Sequence, residues 1–156
     1  MTGCPDIQSN PFYIAHGDLV FQSFARLTGK PLLTSVPDKE VISVIDQAPF
    51  ALVSHGTDDD PIFNYGNQIA LALFEMEWED FTVLPSRKSA EPLHLDERKR
   101  LLKEVSDKGF IDNYSGVRIS SKGRRFLISD AIVWNLIDLD GNIHGQAAMF
   151  HDWQFL

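Results

Sequence analysis

The chain is poor in cysteine, in positive charge and in long apolar runs. Cys4 is the only cysteine in 156 residues. One thiol can neither close an intramolecular disulfide nor build a cysteine metal site, and such usage fits a reducing compartment. Against 22 Asp and Glu stand 14 Lys and Arg, a formal net charge of −8. That surface repels phosphate backbones, so no nucleic-acid partner is expected. No apolar run approaches bilayer length, and no basic stretch leads into an apolar one after Met1. A soluble, cytoplasmic protein without signal peptide or membrane partner is the expectation.

Catalytic signatures are missing as well. There is no Gly-x-Ser-x-Gly and no Gly-rich phosphate loop. Ser54 and His55 adjoin, but neighbours on a strand point to opposite faces, which rules out a Ser–His dyad. Asp58, Asp59 and Asp60 precede Pro61 and read as a solvated turn rather than a cation site. Residues 138–142 begin like a calcium loop, yet Met149 stands where a bidentate Glu is needed, so they read as a hairpin turn. A haem needs an axial ligand, usually His, but His94, alone just before the helix at 96, reads as an exposed loop residue. Cys4 lies far from the helical region, against any chromophore held through sulfur. No enzymatic activity and no metal site are expected, and no cofactor is identified.

What remains is an ordinary globular composition. Hydrophobic residues make up 44%, with 11 Phe and 3 Trp, enough for one core. Asn10 and Pro11 open a helix that Gly29 and Pro31 end. Residues 37–40 open a second, short helix whose buried side is Val41, Ile42, Val44 and Ile45. Residues 50–55 and 62–65 read as short strands. A helix follows from Asn67, then a short turn or helix anchored by Trp78 and Phe81, then a loop over residues 84–92. Residues 96–108 form the clearest helix, with Leu101, Leu102 and Val105 as its stripe and Gly109 as its stop. The chain closes on three antiparallel strands, residues 114–120, 124–137 and 143–150, with turn residues at both breaks.

Two strands, several helices and three strands make an α+β domain. At 64–70 (NYGNQIA) and 75–81 (EMEWEDF) the chain resembles PAS domains. Residues 116–136 (GVRISSKGRRFLISDAIVWNL) resemble the MEKHLA domain, a PAS-related domain that closes plant class III homeodomain–leucine zipper proteins. The ending at 150–155 (FHDWQF) is similar to the aromatic tail of those proteins. Residues 60–67 (DPIFNYGN) and 84–87 (LPSR) resemble the stand-alone bacterial form. The resemblance implies a PAS-like five-stranded antiparallel sheet with helices on one face, plus an N-terminal helical extension. Residues 1–36 would be leader and extension, and residues 37–156 the domain. No homeodomain or zipper is present, so DNA binding does not carry over, and the family supplies no catalytic residues.

In a PAS-like arrangement the candidate ligand-binding residues are Asn64, Tyr65, Asn67, Trp78, Arg87, Tyr114, Arg118 and Trp134. An Arg in such a pocket favours an anionic or carbonyl-bearing ligand. The strand at 124–137 is apolar on both alternating phases. Phe126, Ile128, Ile132, Trp134 and Leu136 share one, and Leu127, Ala131, Val133 and Ile137 the other. The second face therefore needs a cover: the N-terminal helix, a second copy of the chain, or a protein partner. The expected function is a sensory or regulatory domain that binds a small molecule or a protein without catalysis. The alternative is an interaction or dimerisation module with a filled core.

Overall fold

The structure is a computed structural model describing residues 3–35, 40–90 and 95–156, apart from the side chains of Leu95 and Arg98. The expected helix start at 37–39 and His94 lie outside the described residues. The first helix, α1 (Pro11–Thr28), is capped as its sequence demands. The Asn10 side chain accepts a hydrogen bond from the Phe12 backbone N–H at 2.9 Å, and Gly29 closes the other end at φ +75°. A short α2 (Val41–Asp46) follows. Then come β1 (Ala51–His55), β2 (Phe63–Gly66), α3 (Gln68–Phe74) and α4 (Trp78–Phe81). The stretch read as a plain loop contains a 3-10 turn, Ser86–Ser89, before α5 (Leu95–Lys108). The strands β3 (Phe110–Ile119), β4 (Arg125–Ile137), β5 (Ile143–Phe150) and β6 (Asp152–Phe155) complete the chain.

All six strands join one antiparallel sheet, ordered β2-β1-β5-β4-β3, with β6 also paired to β4. β6 is a sixth strand beyond the five expected. It continues β5 along the same edge of β4, because His151 interrupts that ladder without ending it.

The sheet separates two apolar cores. On its inner face α3, α4 and α5 bury Phe63, Phe74, Phe81, Val105, Phe126 and Phe150. On its outer face α1 and α2 bury Val20, Phe24, Ile42, Leu52, Trp134 and Leu136. The second apolar face of β4 is thus covered within the chain, by the N-terminal helix. The two helices cross closely at Gly17, where a Cβ would come within 2.6 Å of the Ile42 Cβ and 2.8 Å of its backbone. Only the absence of a side chain there permits that approach.

The alternation along β4 differs from the strict two-residue phase expected. Phe126 and Ile128 share the inner core with Ala131 and Val133, whereas Ile132, Trp134 and Leu136 face outward. The phase flips at Asp130, a non-glycine residue at φ +53°. One extra residue in the strand moves every following side chain to the other face. β2 carries a similar shift: His55 pairs with Phe63 but Ser54 pairs with Tyr65, leaving Asn64 as the extra residue. Phe63 consequently faces inward and Tyr65 outward.

Candidate functional site

Between the inner face of the sheet and the helices lies a cavity of about 60 Å³. That is room for about four water molecules. Its apolar wall includes Val53, Phe63, Phe74, Ile128, Val133 and Phe150. Its polar side chains are His55, Ser89, Tyr114, Arg118 and Gln146.

Tyr114, Gly116 and Arg118 alternate along β3, so all three share the inner face. Gly116 leaves a gap over which the Tyr114 ring lies; a Cβ there would stand 2.9 Å from Tyr114 Cζ and closer still to its hydroxyl. Tyr114 thereby reaches along the strand, and Arg118 Nη2 donates to its hydroxyl at 2.9 Å. The guanidinium carbon sits 5.4 Å from the Tyr114 ring centroid. Arg118 Nη1 is buried and has no hydrogen-bond partner among the described residues. Among the described residues no carboxylate lies within ion-pair distance of Arg118.

A polar ladder crosses three neighbouring strands beside this pair. His55 faces Gln146 across β1 and β5, and Gln146 faces Asn135 across β5 and β4. Gln146 Nε2 donates to Asn135 Oδ1 at 3.0 Å, and Asn135 Nδ2 donates to the Val105 carbonyl of α5 at 2.9 Å. His55 Nδ1 lies 2.9 Å from the Gly56 carbonyl and must donate to it. An outer groove of about 360 Å³ shares His55, Leu102 and Gln146 with the cavity, so these three side chains stand between the interior and solvent.

The structure brings Tyr114 and Arg118 together at the cavity and places the other six candidates elsewhere. Tyr65 and Trp134 are fully buried in the outer core, carried there by the two phase shifts at Asn64 and Asp130. Tyr65 donates to Asp46 Oδ1 at 2.8 Å; burial, then the Asp46 charge, holds its hydroxyl well above the usual phenol range. Trp134 Nε1 donates to Ser23 Oγ of α1 at 3.1 Å. Trp78 packs edge-on to Tyr13 at 5.3 Å. Asn67 is a fully buried cap. Its Oδ1 accepts from Leu52 and Ala70 N–H, and its Nδ2 donates to the Ile45 and Phe50 carbonyls. Arg87 is exposed and pairs with Asp60 at 3.1 Å.

Asn64 belongs to a buried polar chain under α1. Its Oδ1 accepts from Ser54 Oγ at 2.6 Å, and His16 Nε2 lies 2.9 Å from the same hydroxyl. Ser54 therefore points away from His55, as strand alternation requires. Burial, then the nearby His144, pushes the His16 imidazole down to about 4. Cys4 is buried outside the cavity and donates to Asp6 Oδ1 at 3.2 Å; burial and that bond push the thiol up to about 12. Ser89 and Gln146 are not among the sequence candidates, and His55 is weighed there only for a dyad with Ser54. His55 had a usable signal, since it continues the inward phase of Ala51 and Val53.

Asp58, Asp59 and Asp60 are exposed, and among the described residues no cluster of three or more metal-ligating side chains occurs. Residues 138–142 form the expected hairpin turn. Asp138 Oδ1 accepts from the backbone N–H of Asp140 and Asn142, each at 2.9 Å. The His144 ring at 2.8 Å, then these backbone bonds, hold the Asp138 carboxyl down at about 2. Among the described residues no helix is long and apolar enough to cross a membrane.

Curated relatives include the homeobox-leucine zipper proteins HOX9 and HOX29 of Oryza sativa. They are 24% and 27% identical over 148 and 149 residues, covering 88% of this chain and 16% of each relative. ATHB-14 of Arabidopsis thaliana is 30% identical over 105 residues, covering 64% of the chain and 12% of the relative. The chain thus spans about a sixth or less of the length of the curated relatives it matches.

Among solved structures, the PAS domain of a protein from Colwellia psychrerythraea aligns with TM-score 0.61 at 12% identity, covering 73% of this chain and 92% of that one. A fungal light-oxygen-voltage photoreceptor aligns with TM-score 0.60 at 14% identity, covering 97% and 98%. A light-oxygen-voltage domain studied with a flavin analogue aligns with TM-score 0.59 at 15% identity, covering 76% and 86%. These likenesses establish a PAS-like fold. The MEKHLA domain model matches residues 14–155, nearly the whole length, and the chain belongs to the MEKHLA domain family.

Proposed function

We propose that this chain is a sensory or regulatory module that binds a small molecule in its inner cavity and performs no catalysis of its own. The observation that supports this reading is the buried Nη1 of the cavity-lining Arg118, which has no partner among the described residues. A buried charged donor left unsatisfied is costly, so the native protein is expected to fill its hydrogen-bonding capacity. The PAS-like fold supports the same reading, since two of its structural neighbours are light-oxygen-voltage domains, one studied with a flavin analogue. The cavity is far smaller than the several hundred Å³ that a drug-sized ligand occupies, which argues against an unaltered flavin site. In this reading α1 is an extension that seals the outer face of a domain beginning near residue 37, and the protein acts in the cytoplasm.

Native mass spectrometry of the purified chain, with an absorption spectrum of the same sample, tests the proposal. A co-purified small mass, released on unfolding, is the expected result. A bare chain that also binds nothing from a small-metabolite panel would overturn it. The small cavity favours a second reading, an interaction module with a filled core that works through a protein partner or a second copy.

A further inference from the structure

We infer that the cavity selects a short aliphatic monocarboxylate of about four to six heavy atoms. This inference rests on the small-molecule reading above and names the chemistry of its ligand. Arg118 Nη1 is buried without a partner among the described residues, and Arg118 Nη2 gives one of its two protons to Tyr114. The Tyr114 hydroxyl accepts that bond, and no acceptor for its own proton lies within reach among the described residues. Both residues line the cavity, so the pair offers it two donors, one of them cationic, and among the described residues no carboxylate lies within ion-pair distance of Arg118. Oxygen atoms carrying negative charge satisfy both at once.

Shape and polarity narrow the class. The volume of about 60 Å³ holds about four waters, hence a ligand of a few heavy atoms. Apart from His55, Ser89 and Gln146 the rest of the wall is largely apolar, built by side chains such as Val53, Phe63, Phe74, Ile128, Val133 and Phe150. Nitrate or phosphate would press polar oxygens against that wall, whereas an alkyl tail gains from it. Propionate fits both halves. Gly116 is part of the device, since any side chain there would displace the Tyr114 hydroxyl from Arg118.

The test is a titration of the full chain followed by 1H–15N NMR. Sodium propionate is the probe, with sodium nitrate, phosphate and chloride at matched ionic strength. The expected result is saturable shifts at Tyr114 and Arg118 with a Kd of about 0.1–10 mM for propionate, as a ligand of five heavy atoms permits. Arg118→Gln is expected to weaken binding about tenfold to a hundredfold. Ala148→Leu fills the cavity from β5 without touching the donors, and is expected to abolish binding in a protein that keeps its dispersed spectrum. It carries the test if Arg118→Gln fails to fold. Nitrate or phosphate binding as tightly as propionate would overturn the carboxylate assignment, as would propionate binding indifferent to both substitutions. If a neutral molecule occupies the cavity and Ala148→Leu excludes it, the carboxylate class falls while the small-molecule reading stands. If none of these anions binds the wild-type chain, the carboxylate class falls, and the small-molecule reading falls with it only if the chain is bare and the metabolite panel also finds nothing.

Discussion

Asp130 on β4 stands opposite His151, the residue at which the returning edge breaks into β5 and β6. Ser129 pairs with Asp152 on one side of this point and Ile132 with Met149 on the other. The left-handed backbone at Asp130 decides which core each following side chain enters.

Asp130 is exposed, so substitutions there report on the backbone rather than on packing. Asp130→Gly removes the steric cost of φ +53° and is expected to leave stability unchanged or raise it by up to about 1 kcal/mol. Asp130→Val is expected to cost about 1–3 kcal/mol. Urea midpoints of the two variants check the sign.

Gly17→Ala sets two effects against each other. Helix propensity favours Ala by about 1 kcal/mol. Against it, the new methyl would meet the Ile42 Cβ at 2.6 Å and backbone at 2.8 Å, and neither can swing aside. Overpacking of this kind costs about 1–3 kcal/mol, so a net loss of stability is expected. Thermal unfolding that showed a gain would mean the crossing of α1 and α2 is looser than described.

Asn67→Ala removes four buried hydrogen bonds at once and strands the Leu52 and Ala70 N–H groups and the Phe50 carbonyl, while the Ile45 carbonyl keeps the Ala48 N–H at 3.2 Å. The expected cost is about 3–5 kcal/mol, the largest of these substitutions. Equilibrium denaturation measures it. A cost below about 1 kcal/mol would fit a cap alone and not this junction of α2, β1 and α3.

His16 makes stability depend on pH. Burial lowers its pKa in the folded chain to about 4 from 6.5. As pH falls below 6.5 the unfolded chain takes up a proton that the folded chain refuses until about pH 4, so stability drops across that window. The full effect is about 3 kcal/mol. His16→Gln keeps a polar group near Ser54 and removes the titration. The wild-type chain is expected to lose more stability than this variant between pH 7.5 and 4.5, as urea midpoints at both values would show.

Most of the fold was legible because local chemistry agreed with it. Asn10, Pro11 and Gly29 marked α1, and Gly123 and Gly141 marked the turns around β4. Tyr114 and Arg118 were each named as candidates, and their spacing of four residues on one strand is what lets them meet. Tyr65 and Trp134 were misplaced relative to the cavity, because each lies beyond an extra residue. Nothing at Asn64 or Asp130 announces a bulge beyond the tolerance of Asn and Asp for unusual backbone. His55, Ser89 and Gln146 become neighbours only through pairings of β1 with β5 and the return of the 3-10 turn, contacts too distant in sequence to read.

The docking of α1 on the outer face alters what partner binding would involve. Trp134, bonded to Ser23, and Phe24, packed 4.9 Å from the Trp134 ring, are already engaged there. A protein seeking this surface would meet a tethered competitor at high effective concentration. Association would then require release of the helix, and its apparent affinity would fall by the fraction of time α1 stays seated.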